Sequence, residues 1–428
     1  MVSHTDVRAW LDGTKKRGMA LGLPVTLQAL RALELGTATF ETVHVAGSNG
    51  KGTTVASLCA ALGLAEIRTL SFTSPHLIRV EERFRLNGVP ADPALVDQAL
   101  ANVRAVEQGQ NLELTFFEVT FLVAMWMAHA TNVDVLVLET GLGGRLDATR
   151  VADADVCVLT SLSLEHTDVL GDTLTDIAAE KAAIARPNRP LVVRQPGDDA
   201  VRAAIEECAM MAGSSLLGET SAPAALHWVQ TKKEQSASEE ALTLARNTWP
   251  HLAATKGLDF PALQGVQWPA RMQAIPSPRQ SRKTYLLDGA HNPSGMVMSC
   301  AELRQRPEIL QDPWALLFGS SPQREMRAML EPLASLCRQH PPVAVAVTVP
   351  QKGRYPGVEA DEMKKHLEQA GIVVDAQFSQ PHEAVAWYEA LESEVHTVVS
   401  LGSLYLQGNV MEALGADDQA SLSIRAKV

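Results

Sequence analysis

The chain has 428 residues, 46% hydrophobic and 20% charged, an ordinary composition for a globular protein of two or three domains. Its net charge of −12 argues against nonspecific binding to nucleic acid. The N-terminus lacks an apolar signal-peptide core, and the longest apolar run, 119–130, follows Glu118 and is too short to span a bilayer.

Taken in order, Arg17-Gly-Met-Ala-Leu-Gly-Leu-Pro24 precedes a helical pattern over 25–35. Residues 42–46 predict a short buried strand. Gly47, Ser48, Asn49, Gly50, Lys51 and Gly52 follow, then Thr53 and Thr54, then an apolar helical pattern over 55–64. Strand, glycine-rich turn and helix in that order make a phosphate cradle: glycines let backbone amides approach the anion, the helix N-terminus faces it, and Lys51 neutralises it. A threonine hydroxyl just after the lysine is the usual ligand for a nucleotide's Mg²⁺. The turn is shorter than the common one, which places glycine where Val45 stands.

Residues 73–87 read as a loop that becomes a strand ending in the turn pair Asn87-Gly88. A buried helix is expected at 114–130, then apolar strands at 133–139 and 155–162, as inside a parallel sheet. Thr173 and Asp176 resemble a capping box opening a helix that stops before Pro187, and 190–194 is a further strand. The polar segment 213–265 predicts irregular structure or short edge strands leading to a junction near Trp268-Pro-Ala-Arg271. Alternation then resumes, with strands at 284–287, 315–318, 343–349 and 397–401 and helices at 295–310, 325–339, 361–370 and 382–392. The expected class is α/β: an N-terminal P-loop ATPase-like domain over 1–270 and a smaller Rossmann-like domain over 271–428. The five cysteines form no Cys-x-x-Cys pair and suggest buried thiols in a reducing, cytoplasmic compartment.

Ligands of open α/β sheets sit at the carboxyl ends of strands, where Glu139 and the pair Glu165-His166 fall and can hold a metal. Lys181 lies in an apolar helix, and two readings stand: a partly buried lysine of lowered pKa, or a solvated one paired with Glu180 or Asp176, which spacing favours. Asp288-Gly-Ala-His-Asn-Pro293 reads as a ribose or phosphate contact, or as an Asx/Pro turn. Arg271 suits a phosphate clamp.

Six motifs in order, Val45-Ala-Gly-Ser-Asn-Gly-Lys-Gly-Thr-Thr54, Ser74-Pro-His-Leu77, Glu139-Thr-Gly-Leu-Gly-Gly-Arg-Leu-Asp-Ala-Thr149, Leu164-Glu-His-Thr-Asp-Val-Leu-Gly171, Ala179-Glu-Lys-Ala-Ala-Ile184 and Asp288-Gly-Ala-His-Asn-Pro293, resemble folylpolyglutamate synthase/dihydrofolate synthase of the Mur ligase superfamily. The resemblance implies ATP-dependent ligation of L-glutamate to dihydropteroate or folates through an acyl phosphate, by a monomer that uses neither nucleic acid nor membrane. It assigns catalytic roles to Lys51, Lys181 and His166, with Lys181 matching a carbamylated lysine. Thr53, Glu139 and His166 match ligands of two Mg²⁺ ions, and K⁺ is a further implied cation. Gly47 through Thr54, Asn247, Arg271, Asp288 and His291 match nucleotide contacts, and Ser74, His76, Thr115, Phe117 and Asp147 match the pterin-acid site.

The chain departs from the family pattern in Glu165, where aspartate is usual, in the unclear Gln-x-x-Asn region, and in Gln323-Arg-Glu325, where a Lys-Asp pair is usual. A related amide ligase with another acid or amine is the competing reading. A non-catalytic nucleotide-binding paralogue and a P-loop kinase are weaker ones.

Overall fold

The structure is a computed structural model and describes residues 4–18, 21–232, 235–353, 356–391 and 395–428. Met19 and Ala20, before Pro24, and Glu392, at the end of an expected helix, lie outside the described residues. The chain folds as two compact units: Met1–His76 with Val80–Val266 and Ile424–Val428, and Leu77–Arg79 with Gln267–Ser423.

The first unit holds β1 (Glu41–Ala46), β2 (Thr69–Phe72), β3 (Phe84–Leu86), β4 (Val89–Pro90), β5 (Val135–Glu139), β6 (Val156–Leu159), β7 (Pro190–Arg194) and β8 (Ala225–Val229). They form one eight-stranded sheet in the order β4-β3-β2-β5-β1-β6-β7-β8. All pairs from β2 to β8 are parallel, and β3 and β4 add antiparallel at one edge. β5 and β6 are buried along their whole length, as apolar parallel strands covered on both faces must be.

Register positions the site. Val45 of β1 lies beside Glu139 of β5, and Ala46 lies beside Leu159 of β6. The loops that follow β1, β5 and β6 therefore leave the sheet at one edge, joined by the loop after β2, whose Phe72 pairs with Leu138. The chain runs from β1 to β2 on one side and crosses from β5 to β6 on the other. The end of β1 is thus a topological switch point, where open α/β sheets bind ligands.

Several elements differ from expectation. The helix after the glycine loop begins at Lys51, not at residue 55, so Lys51, Thr53 and Thr54 belong to its first turn. β6 ends at Leu159, because Thr160, Ser161 and Ser163 bond the glycine loop instead of extending the strand. The helix opened by Thr173, by contrast, carries Lys181 and ends at Ala182, before Pro187 as expected. In the segment 213–265 the expected edge strand forms as β8, and the helix Ala237–Thr248, which was not expected, packs on Lys51–Leu64. That helix buries Ala241, Leu244, Ala245 and Thr248, a narrow stripe at helical spacing built of small residues. Ser236 and Glu239 cap it reciprocally, which stabilises it by about 1 kcal/mol.

The second unit contains β10–β15 after β9 (Gly265–Gln267): β10 (Gln273–Pro276), β11 (Thr284–Leu287), β12 (Trp314–Phe318), β13 (Ala344–Thr348), β14 (Ala376–Phe378) and β15 (Thr397–Leu401). Their order is β10-β11-β15-β12-β13-β14, parallel except for β10. Leu316 and Phe318 pack into one core, Ala315 and Leu317 into another, so both faces of this sheet are covered. The helix expected at 295–310 is two helices, Pro293–Arg304 and Pro307–Leu310, because Pro307 pushes Arg306 out of the helical region. A last strand, β16 (Arg425–Lys427), pairs with β9. Among the described residues no helix is long and apolar enough to cross a membrane.

Candidate functional site

The glycine loop is held from behind. Ser48 N–H donates to the Ser161 carbonyl at 2.8 Å. The Thr160 and Ser161 hydroxyls donate to the Asn49 carbonyl at 2.8 and 3.1 Å, and Asn49 Nδ2 donates to Ser163 Oγ at 3.2 Å. Gly47 has φ +145°, and a Cβ there would meet Thr160 Oγ1 at 1.9 Å, so only glycine allows β1 to turn this close to β6. Gly50 is the N-cap at φ +84°, and no side chain caps the Lys51–Leu64 helix there.

Two ammonium groups converge on this loop. Lys51 Nζ donates to the Gly47 carbonyl at 2.9 Å and the Ser48 carbonyl at 3.2 Å. Lys181 Nζ reaches the same Gly47 carbonyl at 3.0 Å and pairs with Glu165 at 2.8 Å. Lys181 is only 1% exposed, so the solvated reading does not hold; Glu180 pairs with Arg145 and Asp176 caps with Thr173. Burial, and then the neighbouring Lys51 charge, lower the Lys181 pKa against the pull of Glu165. Burial works to raise the Glu165 carboxyl, but Lys51 and Lys181 outweigh it and hold it below the usual carboxylate range. Glu165, expected from its place at a strand end to be a metal candidate, is in the structure the ion-pair partner of Lys181.

Glu139 is buried at the end of β5 and accepts the Ser74 N–H at 3.0 Å. Thr53 is buried in the first helical turn. His166 is exposed in a left-handed conformation, φ +47°, at the start of the short helix Thr167–Leu170. His76 Nδ1 accepts Arg83 Nε at 2.9 Å, and burial, with Arg83 and Lys15, holds its imidazole well below the ordinary range.

Of the five residues matched to the pterin-acid site, Phe117 and Asp147 meet through the loop at Gly141, and Thr115 and Asp147 are already engaged. A Cβ on Gly141 would meet the Phe117 ring at 2.6 Å, so the loop after β5 lies against this half-buried ring. Asp147 Oδ2 accepts the Gly141 and Leu142 amides, each at 2.9 Å, and Oδ1 accepts the Thr149 amide at 3.0 Å and the Thr149 hydroxyl. These four bonds occupy the carboxylate within the loop. Thr115 caps the Phe116–Ala130 helix, its hydroxyl bonding Glu118 at 2.8 Å, so that group too has a local task.

In the second unit Asp288 behaves as the Asx/Pro-turn reading requires. Its carboxylate accepts Met272 N, Ala290 N and Ser299 Oγ at 3.1, 3.0 and 2.7 Å. Asn292 caps the Pro293–Arg304 helix, and His291 is exposed with Nδ1 2.7 Å from the Gly289 carbonyl. Arg271 lies over Gly289, where a Cβ would meet its Nη1 at 2.4 Å. Asn247 is exposed on Ala237–Thr248 and donates to the Thr243 carbonyl within that helix.

A parallel sheet with this loop at its switch point, followed by a smaller α/β unit, defines an ATP-dependent ligase of the Mur type. No family profile matches the chain. It is 27% identical to dihydrofolate synthase/folylpolyglutamate synthase of Bacillus subtilis over 96% of this chain and 99% of that one. It is 40% identical to the Escherichia coli enzyme of the same name over 44% of each chain. The Yersinia pestis bifunctional folylpolyglutamate synthase/dihydrofolate synthase, solved with AMPPNP and Mn, superimposes with a TM-score of 0.74 at 26% identity, over 96% of this chain and 98% of that one. Over nearly its whole length the chain is thus similar to dihydrofolate synthase/folylpolyglutamate synthases.

Proposed function

We propose that the chain is an ATP-dependent ligase that joins L-glutamate to dihydropteroate, and also to folates. The observation that carries this reading is the convergence of Lys51 and Lys181 on the Gly47 carbonyl at a helix N-terminus that no side chain caps. The Lys51 cation beside such a terminus suits the polyphosphate of a nucleotide. In the reaction the γ-phosphoryl group passes to the substrate carboxylate, leaving ADP and an acyl phosphate. The glutamate amine then attacks the acyl carbon, the C–N bond forms as phosphate leaves, and the amine gives up its proton. Lys51 and the amides of the 47–54 loop hold the phosphates, and positioning with charge neutralisation does most of the work.

Thr53 and Glu139 are oxygen donors at the loop edge, a set that suits Mg²⁺, which keeps several waters and takes few protein ligands. Among the described residues no three acidic, histidine or cysteine side chains are grouped so as to hold a metal ion. A bound divalent cation offsets the charge that builds on those oxygens. His166 is assigned to a second metal; its nitrogen donor is less suited to Mg²⁺. Glu139→Gln is therefore expected to raise the Mg²⁺ concentration for half-maximal turnover by about tenfold, and His166→Ala by less. Unchanged Mg²⁺ dependence in both variants contradicts the metal assignment.

Lys181 is assigned as the carbamylated lysine, because its lowered pKa enlarges the neutral amine that reacts with CO₂. Asn247, Arg271 and His291 are assigned to the nucleotide, and Asp288 to shaping the loop that carries His291. Ser74, His76 and Phe117 are assigned to the acid substrate, with Thr115 and Asp147 acting through the elements they hold. The enzyme is read as a cytoplasmic monomer that also uses K⁺, and its buried free thiols fit a reducing compartment.

The engaged Asp147 and Thr115 side chains favour one second reading, a related ligase with a different acid or amine. A panel separates the two: dihydropteroate, reduced folates and UDP-muramoyl acids, each with ATP and with glutamate or other amino acids, read as ADP release. Dihydropteroate with glutamate is expected to give the fastest release; faster release with another pair favours the second reading. Asp147→Ala is expected to raise the KM for dihydropteroate by about tenfold with nucleotide affinity unchanged, since it frees the Gly141–Leu142 amides beside Phe117. Equal loss of nucleotide affinity contradicts that division of labour.

A further inference from the structure

His44 lies in the middle of β1, completely buried, three residues before the loop that the phosphate reading uses. Its side chain points away from that task. Nε2 is 2.8 Å from the hydroxyl of Thr149, itself 0% exposed. The Thr149 hydroxyl in turn donates to Asp147 Oδ1. A hydroxyl has one proton, so with that proton on Asp147 the threonine oxygen must accept from His44. The histidine is thereby fixed as the neutral Nε2–H tautomer. Nδ1 is the ring's bare acceptor, and it has no hydrogen-bond partner. Burial, and then the charges of Arg186 and Arg150, hold the imidazole well below its ordinary range, so the neutral form persists at working pH.

The chain of contacts does not stop at Asp147. The other carboxylate oxygen holds the Gly141 and Leu142 amides, and Gly141 lies against the Phe117 ring. A buried donor in the central strand is thus joined, through one hydroxyl and one carboxylate, to the loop that faces the proposed acid pocket. A histidine kept here for packing alone has a cheaper substitute, since the interior leaves its Nδ1 unsatisfied, a desolvation cost an apolar side chain avoids.

We infer that His44 is a positioning residue for the acid substrate, holding Thr149 and Asp147 so that the loop at Gly141 is set at the right height over Phe117. The inference rests on the reading of that loop as part of the acid site. It makes His44 a determinant of how the pterin acid is bound and leaves the nucleotide site alone, although His44 is closer in sequence to the phosphate loop.

The test compares steady-state kinetics of full-length variants with dihydropteroate, glutamate and ATP, and measures affinity for AMPPNP separately. His44→Leu removes the donor and is expected to raise the KM for dihydropteroate on the order of fivefold to tenfold, with kcat and AMPPNP affinity near wild type. His44→Gln places an amide nitrogen near the Nε2 position and is expected to restore the KM, whereas His44→Asn, whose amide falls near Nδ1, is not. A wild-type KM in His44→Leu, or equal damage by Gln and Asn, overturns the inference. If His44→Leu does not fold, Thr149 decides: Thr149→Ser keeps the hydroxyl and should keep the KM, and Thr149→Val should show the shift. Absence of that difference overturns the inference as well. If the wild type ligates a different acid and not dihydropteroate, the substrate reading fails by itself, and the same comparison with that acid decides the role of His44.

Discussion

Replacing Lys51 by alanine is expected to lower ATP turnover about 10²-fold or more while leaving the thermal midpoint within a few degrees of wild type. The two effects separate because the side chain makes no packing contribution the fold depends on. Its ammonium hydrogen-bonds the Gly47 and Ser48 carbonyls, at 2.9 and 3.2 Å, and Lys51 sits at the first position of a helix that alanine suits well. The charge is what function needs. Carbonyl oxygens repel a phosphate, so without this cation the loop offers its amides alone. The substitution also removes a like charge from Lys181 and should raise the pKa of that lysine. Turnover near the wild-type rate contradicts the loop assignment.

The second large effect belongs to Lys181. Alanine there leaves Glu165 without the ion pair that helps stabilise its charge in a mostly buried position, a cost of about 1.5–3 kcal/mol. Activity should disappear, but lost stability alone can explain that. Lys181→Arg makes the sharper test. It keeps a cation for Glu165 and the Gly47 carbonyl, yet cannot form a carbamate. Inactive but stable Lys181→Arg, together with wild-type ligation that falls on CO₂ removal and returns with bicarbonate, is the expected result. In the structure the ammonium is paired with Glu165, so the carbamate state requires that pairing to open towards Lys51 or a bound cation. Activity in Lys181→Arg, or indifference to CO₂, contradicts the carbamate.

The sequence carried the parts of the molecule whose chemistry is local. The strand before Gly47, the apolar strand ending at Glu139 and the capping pair at Thr173 all rest on short-range patterns, and each appears where the pattern places it. The helix Ala237–Thr248 escaped because Leu244 is the one strongly apolar residue of its buried stripe, which Ala241, Ala245 and Thr248 complete. The partner of Lys181 escaped for a different reason. Spacing along one helix suggested Glu180 or Asp176, whereas Glu165 arrives from the loop after β6, and only the sheet order brings that loop to the buried lysine. The same holds for Asp147, whose residue type suggested a ligand contact. Three of the groups filling its oxygens are backbone amides, which have no sequence signature.

The most direct measurement of the central claim follows one turnover mixture of ATP, dihydropteroate and L-glutamate, and quantifies ADP, phosphate and the amide product together. The account predicts that all three rise in equal amounts, that omitting glutamate prevents amide formation, and that Lys51→Ala forms none of them. ADP release without an amide product, or an amide formed at the wild-type rate by Lys51→Ala, would contradict it.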